Sequence, residues 1–168
     1  MNQDKRNKTL YNQAKELRMC NAVHKQWYGR NLSADELFSL YYANLDFCLD
    51  YRWPDSKTVR KMFSLEELRS HGVVADDTWS LLNPTHSVVM GESKAKIRYN
   101  GFTVGRATII GKSKCDITVK GHAFVTLCVY DEAEVTIATE DSARVIILKY
   151  SDKCDISSLG QATIKECF

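Results

Sequence analysis

A ten-residue rhythm governs the second half of this chain. It reads Gly91-Glu-Ser-Lys-Ala-Lys-Ile97, Gly101-Phe-Thr-Val-Gly-Arg-Ala107, Gly111-Lys-Ser-Lys-Cys-Asp-Ile117, Gly121-His-Ala-Phe-Val-Thr-Leu127, Asp131-Glu-Ala-Glu-Val-Thr-Ile137 and Asp141-Ser-Ala-Arg-Val-Ile-Ile147. Each unit opens on a residue that tolerates left-handed backbone and continues with small, branched or aliphatic residues at alternate positions. Alternation at period two places the third, fifth and seventh residues on one face of a strand and the even positions on the other. A unit this short buries its apolar face only by stacking on the next unit, which predicts a β-solenoid with the odd columns as its core.

The repeat slips near its end. Lys114-Cys-Asp-Ile117 recurs as Lys153-Cys-Asp-Ile156, and Gly121-x-Ala123-x-Val125 as Gly160-x-Ala162-x-Ile164. A one-residue deletion around Tyr150-Ser151-Asp152 accounts for both, and it sets Cys154 in the same core column as Cys115. If two units make a coil, outward residues stack on those twenty later. Glu92, Lys112 and Glu132 then form a ladder, and Lys114 meets Glu134. Opposite charges on neighbouring strands favour a coil of twenty over one of thirty. Parallel strands joined by crossovers predict a right-handed winding.

The first half carries helical spacing. Leu10, Ala14, Leu17, Cys20 or Asn21, His24 and Trp27 recur at three and four residues from about Thr9 to Trp27, with Gly29 as the stop. Ser33-Ala-Asp-Glu36 and Ser64-Leu-Glu-Glu67 are capping boxes, and Asp55 or Ser56 caps a further short helix. Two long and two short helices are expected around Trp27, Phe38, Tyr41, Phe47, Trp53 and Phe63. The fold class is α+β: a helical cap domain over 1–72, a linker or seam over 73–87 that holds Trp79, and a short solenoid over 88–168.

Charge narrows the functions available. The formal net charge is +2, and both halves are balanced, with 12 basic to 11 acidic residues in 1–84 and 11 to 10 in 85–168. One-sided basic patches mark nucleic-acid binders, so no nucleic acid is expected as a partner. The polar start, Met1-Asn-Gln-Asp-Lys-Arg, lacks the apolar stretch of a secretory signal, and no run is long enough to span a membrane. A cytoplasmic protein is expected. Six cysteines without a C-x-x-C pair suit buried thiols rather than zinc or a disulfide framework. No metal and no cofactor is expected.

Catalytic chemistry has thin support. An acyl-transfer or carbohydrate-cleaving β-helix would need a base such as His122, or paired carboxylates drawn from Asp116 and Glu134. Lysines interleave with these acids, and a charge-paired surface is the plainer explanation. Tyr130 and Tyr150, twenty apart, would stack along one edge of the solenoid. The chain reaches Glu166-Cys-Phe168 directly after a repeat, so the last coil is expected to meet a second copy or a protein partner. Tyr130, Tyr150, Ile164, Cys167 and Phe168 are the candidate interaction surface.

The Ala-x-Val-x-Ile rhythm of Asp131-Glu-Ala-Glu-Val-Thr-Ile137 and Asp141-Ser-Ala-Arg-Val-Ile-Ile147 resembles small, largely uncharacterised β-solenoid repeat proteins of gut Bacteroidales and their phages, over about residues 88–168. The resemblance implies a fold and a phage or mobile-element origin, with a virion-associated location as the alternative to the cytoplasm. It carries no catalytic residue. The expected function is a non-enzymatic structural or protein-interaction module that self-associates through the solenoid end, and the β-helix enzyme is the alternative.

Overall fold

The computed structural model describes residues 2–168 and divides into two compact units between Glu67 and Leu68. The first is helical: α1 (Gln3–Glu16), α2 (Asn21–Trp27), α3 (Ala34–Ala43), α4 (Leu45–Asp50), α5 (Ser56–Met62) and the start of α6 (Leu65–Ser70). Both capping boxes form. Ser33 Oγ accepts from the Glu36 N–H at 3.2 Å while the Glu36 carboxylate accepts from the Ser33 N–H at 2.9 Å, and Ser64 and Glu67 repeat the exchange. Asp55 caps α5 through the Thr58 N–H.

Each long helix of the sequence reading is two. The first starts earlier than Thr9, capped by Asn2, and breaks at Arg18, whose φ of 63° lies in the left-handed region. The second breaks at Asn44, whose amide donates back to the Leu40 carbonyl. Trp27, Phe38 and Phe63 are buried as expected, while Tyr41, Phe47 and Trp53 are half-buried.

A buried asparagine organises this unit. Asn7 Nδ2 donates to the carbonyl of Leu32 at 2.7 Å, and Asn7 Oδ1 accepts from the Leu32 N–H and from Trp27 Nε1 at 3.0 and 3.1 Å. One side chain thus fixes the loop between α2 and α3 and orients the indole beneath it, with its buried polar atoms satisfied. Beside it, the Arg6 guanidinium lies 4.6 Å from the centre of the Phe63 ring and pairs with Glu67 at 2.7 Å.

The second unit is the solenoid, with strands β1 (Val73–Ala75), β2 (Thr78–Leu82), β3 (His86–Met90), β4 (Lys94–Tyr99), β5 (Val104–Ile109), β6 (Lys114–Val119), β7 (Phe124–Val129), β8 (Glu134–Thr139), β9 (Arg144–Lys149), β10 (Asp155–Leu159) and β11 (Ala162–Glu166). Odd-numbered strands build a six-stranded sheet in the order β1-β3-β5-β7-β9-β11. Even-numbered strands build a five-stranded one in the order β10-β8-β6-β4-β2. All pairs are parallel, and Lys94 lies beside Lys114, which lies beside Glu134. The coil is therefore twenty residues, made of two strands.

The odd columns form the core, with Ala95, Ile97, Cys115, Ile117, Val125, Leu127, Val135, Ile137, Val145 and Ile147 all buried. Gly91, Gly101, Gly111, Gly121, Asp131 and Asp141 all adopt positive φ at the corners. Third-position hydroxyls close those corners: Ser113 Oγ donates to the Ile110 carbonyl at 2.9 Å and Thr103 Oγ1 to that of Asn100 at 2.7 Å. Even positions divide by sheet. On β4, β6 and β8 most of them are exposed, whereas Val88, Thr108 and Cys128 on β3, β5 and β7 are buried.

The solenoid starts earlier than residue 88. The segment expected to be a linker carries β1 and β2, and Trp79 belongs to β2, half exposed, with the Arg69 guanidinium 3.8 Å above its ring. Asp77 holds that guanidinium through Nε and Nη2 at 3.0 and 2.9 Å. This first coil is compressed: Val73 pairs with Val88 and Thr78 with Lys94, offsets of 15 and 16 residues. Its corners are occupied by Asp76 and Asn83 in place of glycine.

The slip at the far end is an insertion followed by a shortened coil. Glu134 pairs with Asp155, 21 residues on, and Val145 with Ala162, only 17 on. The corner 150–154 takes the extra residue, and Gly160 and Gln161 alone join β10 to β11. Cys154 consequently stands over Ala133, donating from Sγ to the Asp131 carbonyl at 3.5 Å, and does not share a column with Cys115.

Candidate interaction surface

The twenty-residue register aligns every second corner, and the side chains at those corners meet. Tyr130 and Tyr150 stack with ring centres 4.4 Å apart and planes 1° from parallel. Strand spacing near 4.8 Å sets that separation, so the stack follows from the coil length. Burial, with Cys128 and Tyr150 close by, holds the Tyr130 hydroxyl well above its ordinary pKa. The Cys167 N–H donates to the Lys149 carbonyl at 2.8 Å, which carries the ladder one residue past Glu166 and sets Cys167 in register with Tyr150.

Beside this edge lies the last coil. The strands β10 and β11 end their two sheets, each hydrogen-bonded on one side. Leu159 is 68% exposed, Ile164 45% and Phe168 66%. Ile164 stands directly over Ile147, and Ile156 over Val135, so the core columns run up to this end. The Phe168 ring lies 5.9 Å from Lys149 Nζ. All five candidate interaction residues thus fall on one corner and one end of the solenoid.

The candidate acid/base residues are engaged elsewhere. Glu134 pairs with Lys114 at 2.7 Å on the outer face of the even-strand sheet, where Asp116 lies beside Lys96 and Thr136. His122 occupies a corner and stacks on Phe102, centres 4.8 Å apart and planes 18° apart. Further charge pairs join Lys112 to Glu132 at 3.8 Å and Lys120 to Glu140 at 2.8 Å. Among the described residues, no group of three or more His, Cys, Asp or Glu side chains is placed to hold a metal ion. No helix among them is long and apolar enough to cross a membrane.

One surface feature escaped the sequence reading. Phe102 is 84% exposed beneath His122, and Val104 and Phe124, both exposed, pair on the adjoining strands. The signal was present as aromatic or apolar residues at second and fourth positions twenty apart, legible once the coil length is fixed. No protein-family model matches the chain, and no match was found among curated proteins or solved structures.

Proposed function

We propose that this protein is a non-enzymatic structural module that self-associates through the last coil of its solenoid. The observation that carries this reading is the pair of sheet-terminal strands, β10 and β11, with Leu159, Ile164 and Phe168 exposed on and beside them. A strand edge with apolar side chains is a template for further pairing unless it is blunted, and β11 carries only Lys165 and Glu166 as charges. The engagement of Glu134 by Lys114 and the stacking of His122 on Phe102 further favour a binding role over acid/base chemistry.

Light scattering of the full chain tests it. A mass that is a multiple of 19.2 kDa, falling to a single chain in Ile164→Lys, is the expected result. A wild-type monomer overturns the proposal.

A further inference from the structure

The two ends of the solenoid are not equivalent, and the difference selects a geometry of association. At the first coil the six-stranded sheet ends in β1, whose Val73, Val74 and Ala75 are 1%, 0% and 1% exposed. That edge is closed. The five-stranded sheet ends in β2, where Asn83 donates to the Arg98 carbonyl and the Asp77 carbonyl accepts from Lys94. Backbone groups alternate in direction along a strand, so Thr78, Ser80 and Leu82 aim theirs at the open edge.

At the last coil both edges are open. Asp155 donates to the Ala133 carbonyl and Cys167 to that of Lys149. By the same alternation, Ile156 and Ser158 on β10, and Ala162, Ile164 and Glu166 on β11, direct their N–H and C=O groups away from the solenoid.

Resting on the self-association proposed above, we infer that the partner of the last coil is the last coil of a second copy, joined tail to tail about a two-fold axis. β10 then pairs antiparallel with β10 of the second copy, and β11 with β11. Head-to-tail stacking would seat β10 on an open β2 but leave β11 facing the closed β1, with its outward backbone groups buried and unpaired. A two-fold contact satisfies both strands at once and closes on itself, leaving no free strand edge at the last coil of either copy. It also brings the Ile156 and Ile164 columns of the two cores together. Centred on Ile164, the pairing sets Thr163 opposite Lys165 and Ala162 opposite Glu166, so no like charges face each other across β11.

The test is solution mass by light scattering across about 1–100 μM, a range that brackets micromolar dissociation constants. Three proline variants accompany it, each removing one edge-facing N–H that the solenoid does not use. The expected result is two chains of 19.2 kDa at the upper concentrations with no further growth. Ser80→Pro should leave that dimer intact, while Ile164→Pro and Ser158→Pro should each give a monomer with unchanged far-ultraviolet circular dichroism. If Ile164→Pro unfolds, Ser158→Pro on the other sheet decides.

A mass that climbs through higher multiples and is broken by Ser80→Pro would overturn the two-fold geometry while leaving self-association standing. A dimer that survives in folded Ile164→Pro or Ser158→Pro overturns it too. A wild-type monomer would remove both.

Discussion

Corner residues show how much one side chain decides. Gly111 has a φ of +77°, and a Cβ there would meet the Gly91 carbonyl oxygen at 2.9 Å, whereas at Gly101, with a similar φ, it would meet nothing within 4 Å. Gly101→Ala should therefore cost only the backbone term, about 1–2 kcal/mol, and Gly111→Ala clearly more, as read from denaturant midpoints. Asp131 and Asp141 use the same conformation to accept from the Gly111 and Gly121 N–H groups of the preceding coil at 3.0 and 2.9 Å. Gly105 is a different case, with no left-handed φ: its missing Cβ makes room for the buried Tyr99 ring and for the Pro84 carbonyl at 2.8 Å. Gly105→Ala is expected to destabilise by about 1–3 kcal/mol through overpacking. In the helical unit, burial alone would raise the Glu67 pKa, but Arg6 and the Ser64 N–H hold it below its ordinary value. A lowered carboxylate contributes stability that is present above the unfolded pKa and lost as pH falls through the folded one. Arg6→Ala should cost about 2 kcal/mol at pH 7 and less at about pH 3, below the ordinary carboxylate range, where the wild type is losing the same contribution. Urea titrations at the two pH values check this.

Elements were legible wherever their period held. The odd columns from Ala95 to Ile147 could be read directly because alternation and the glycine or aspartate corners agree. The first coil was hidden because two-residue and three-residue corners, at Asp76-Asp77 and Asn83-Pro84-Thr85, replace the usual four and shorten the offset to 15 or 16. The helix breaks at Arg18 and Asn44 were equally invisible, since neither residue is a glycine or proline that would announce one. At the slip, sequence similarity aligned Cys154 with Cys115, but the chain preserves inward and outward faces by register, not by residue identity. The extra residue in the corner 150–154 should therefore be dispensable. Deleting Asp152 restores a spacing of twenty and is expected to change stability by under about 1 kcal/mol. Deleting Thr118 within β6 moves Val119 out of its core column unless the corner 120–123 shortens, and should lower the thermal midpoint more than the Asp152 deletion does.

At the scale of the whole molecule, charge and edge contribute different things. The pairs Lys112–Glu132, Lys114–Glu134 and Lys120–Glu140 are all about half exposed, so each is worth little, and Lys114→Ala should shift stability by under about 1 kcal/mol. In the sequence, the Glu92–Lys112–Glu132 ladder and the Lys114–Glu134 pair favour a coil of twenty, and the strand register bears that length out. The proposed assembly through β10 and β11 would rest on backbone pairing and on Ile156 and Ile164, so its mass should stay constant as salt rises from about 0.05 to 0.5 M. A mass that falls with salt would point to an ionic interface instead. The Tyr130–Tyr150 stack was implied by residues twenty apart, the exposed Phe102–His122 pair has the same spacing but went unread, and the closed edge at β1 depends on burial that no local pattern announces. The uniform register from β4 to β8 carries a further implication for how such a chain changes length. Residues 101–120 form one complete coil that begins and ends at glycine corners, and the neighbours on either side present the same corners. A tandem duplication of that segment, sixty nucleotides in frame, would insert a coil with every backbone partner supplied and lengthen the solenoid by about 4.8 Å. Inheritance can thus adjust the reach of this protein in whole steps, while insertions of any other size must be absorbed at a corner.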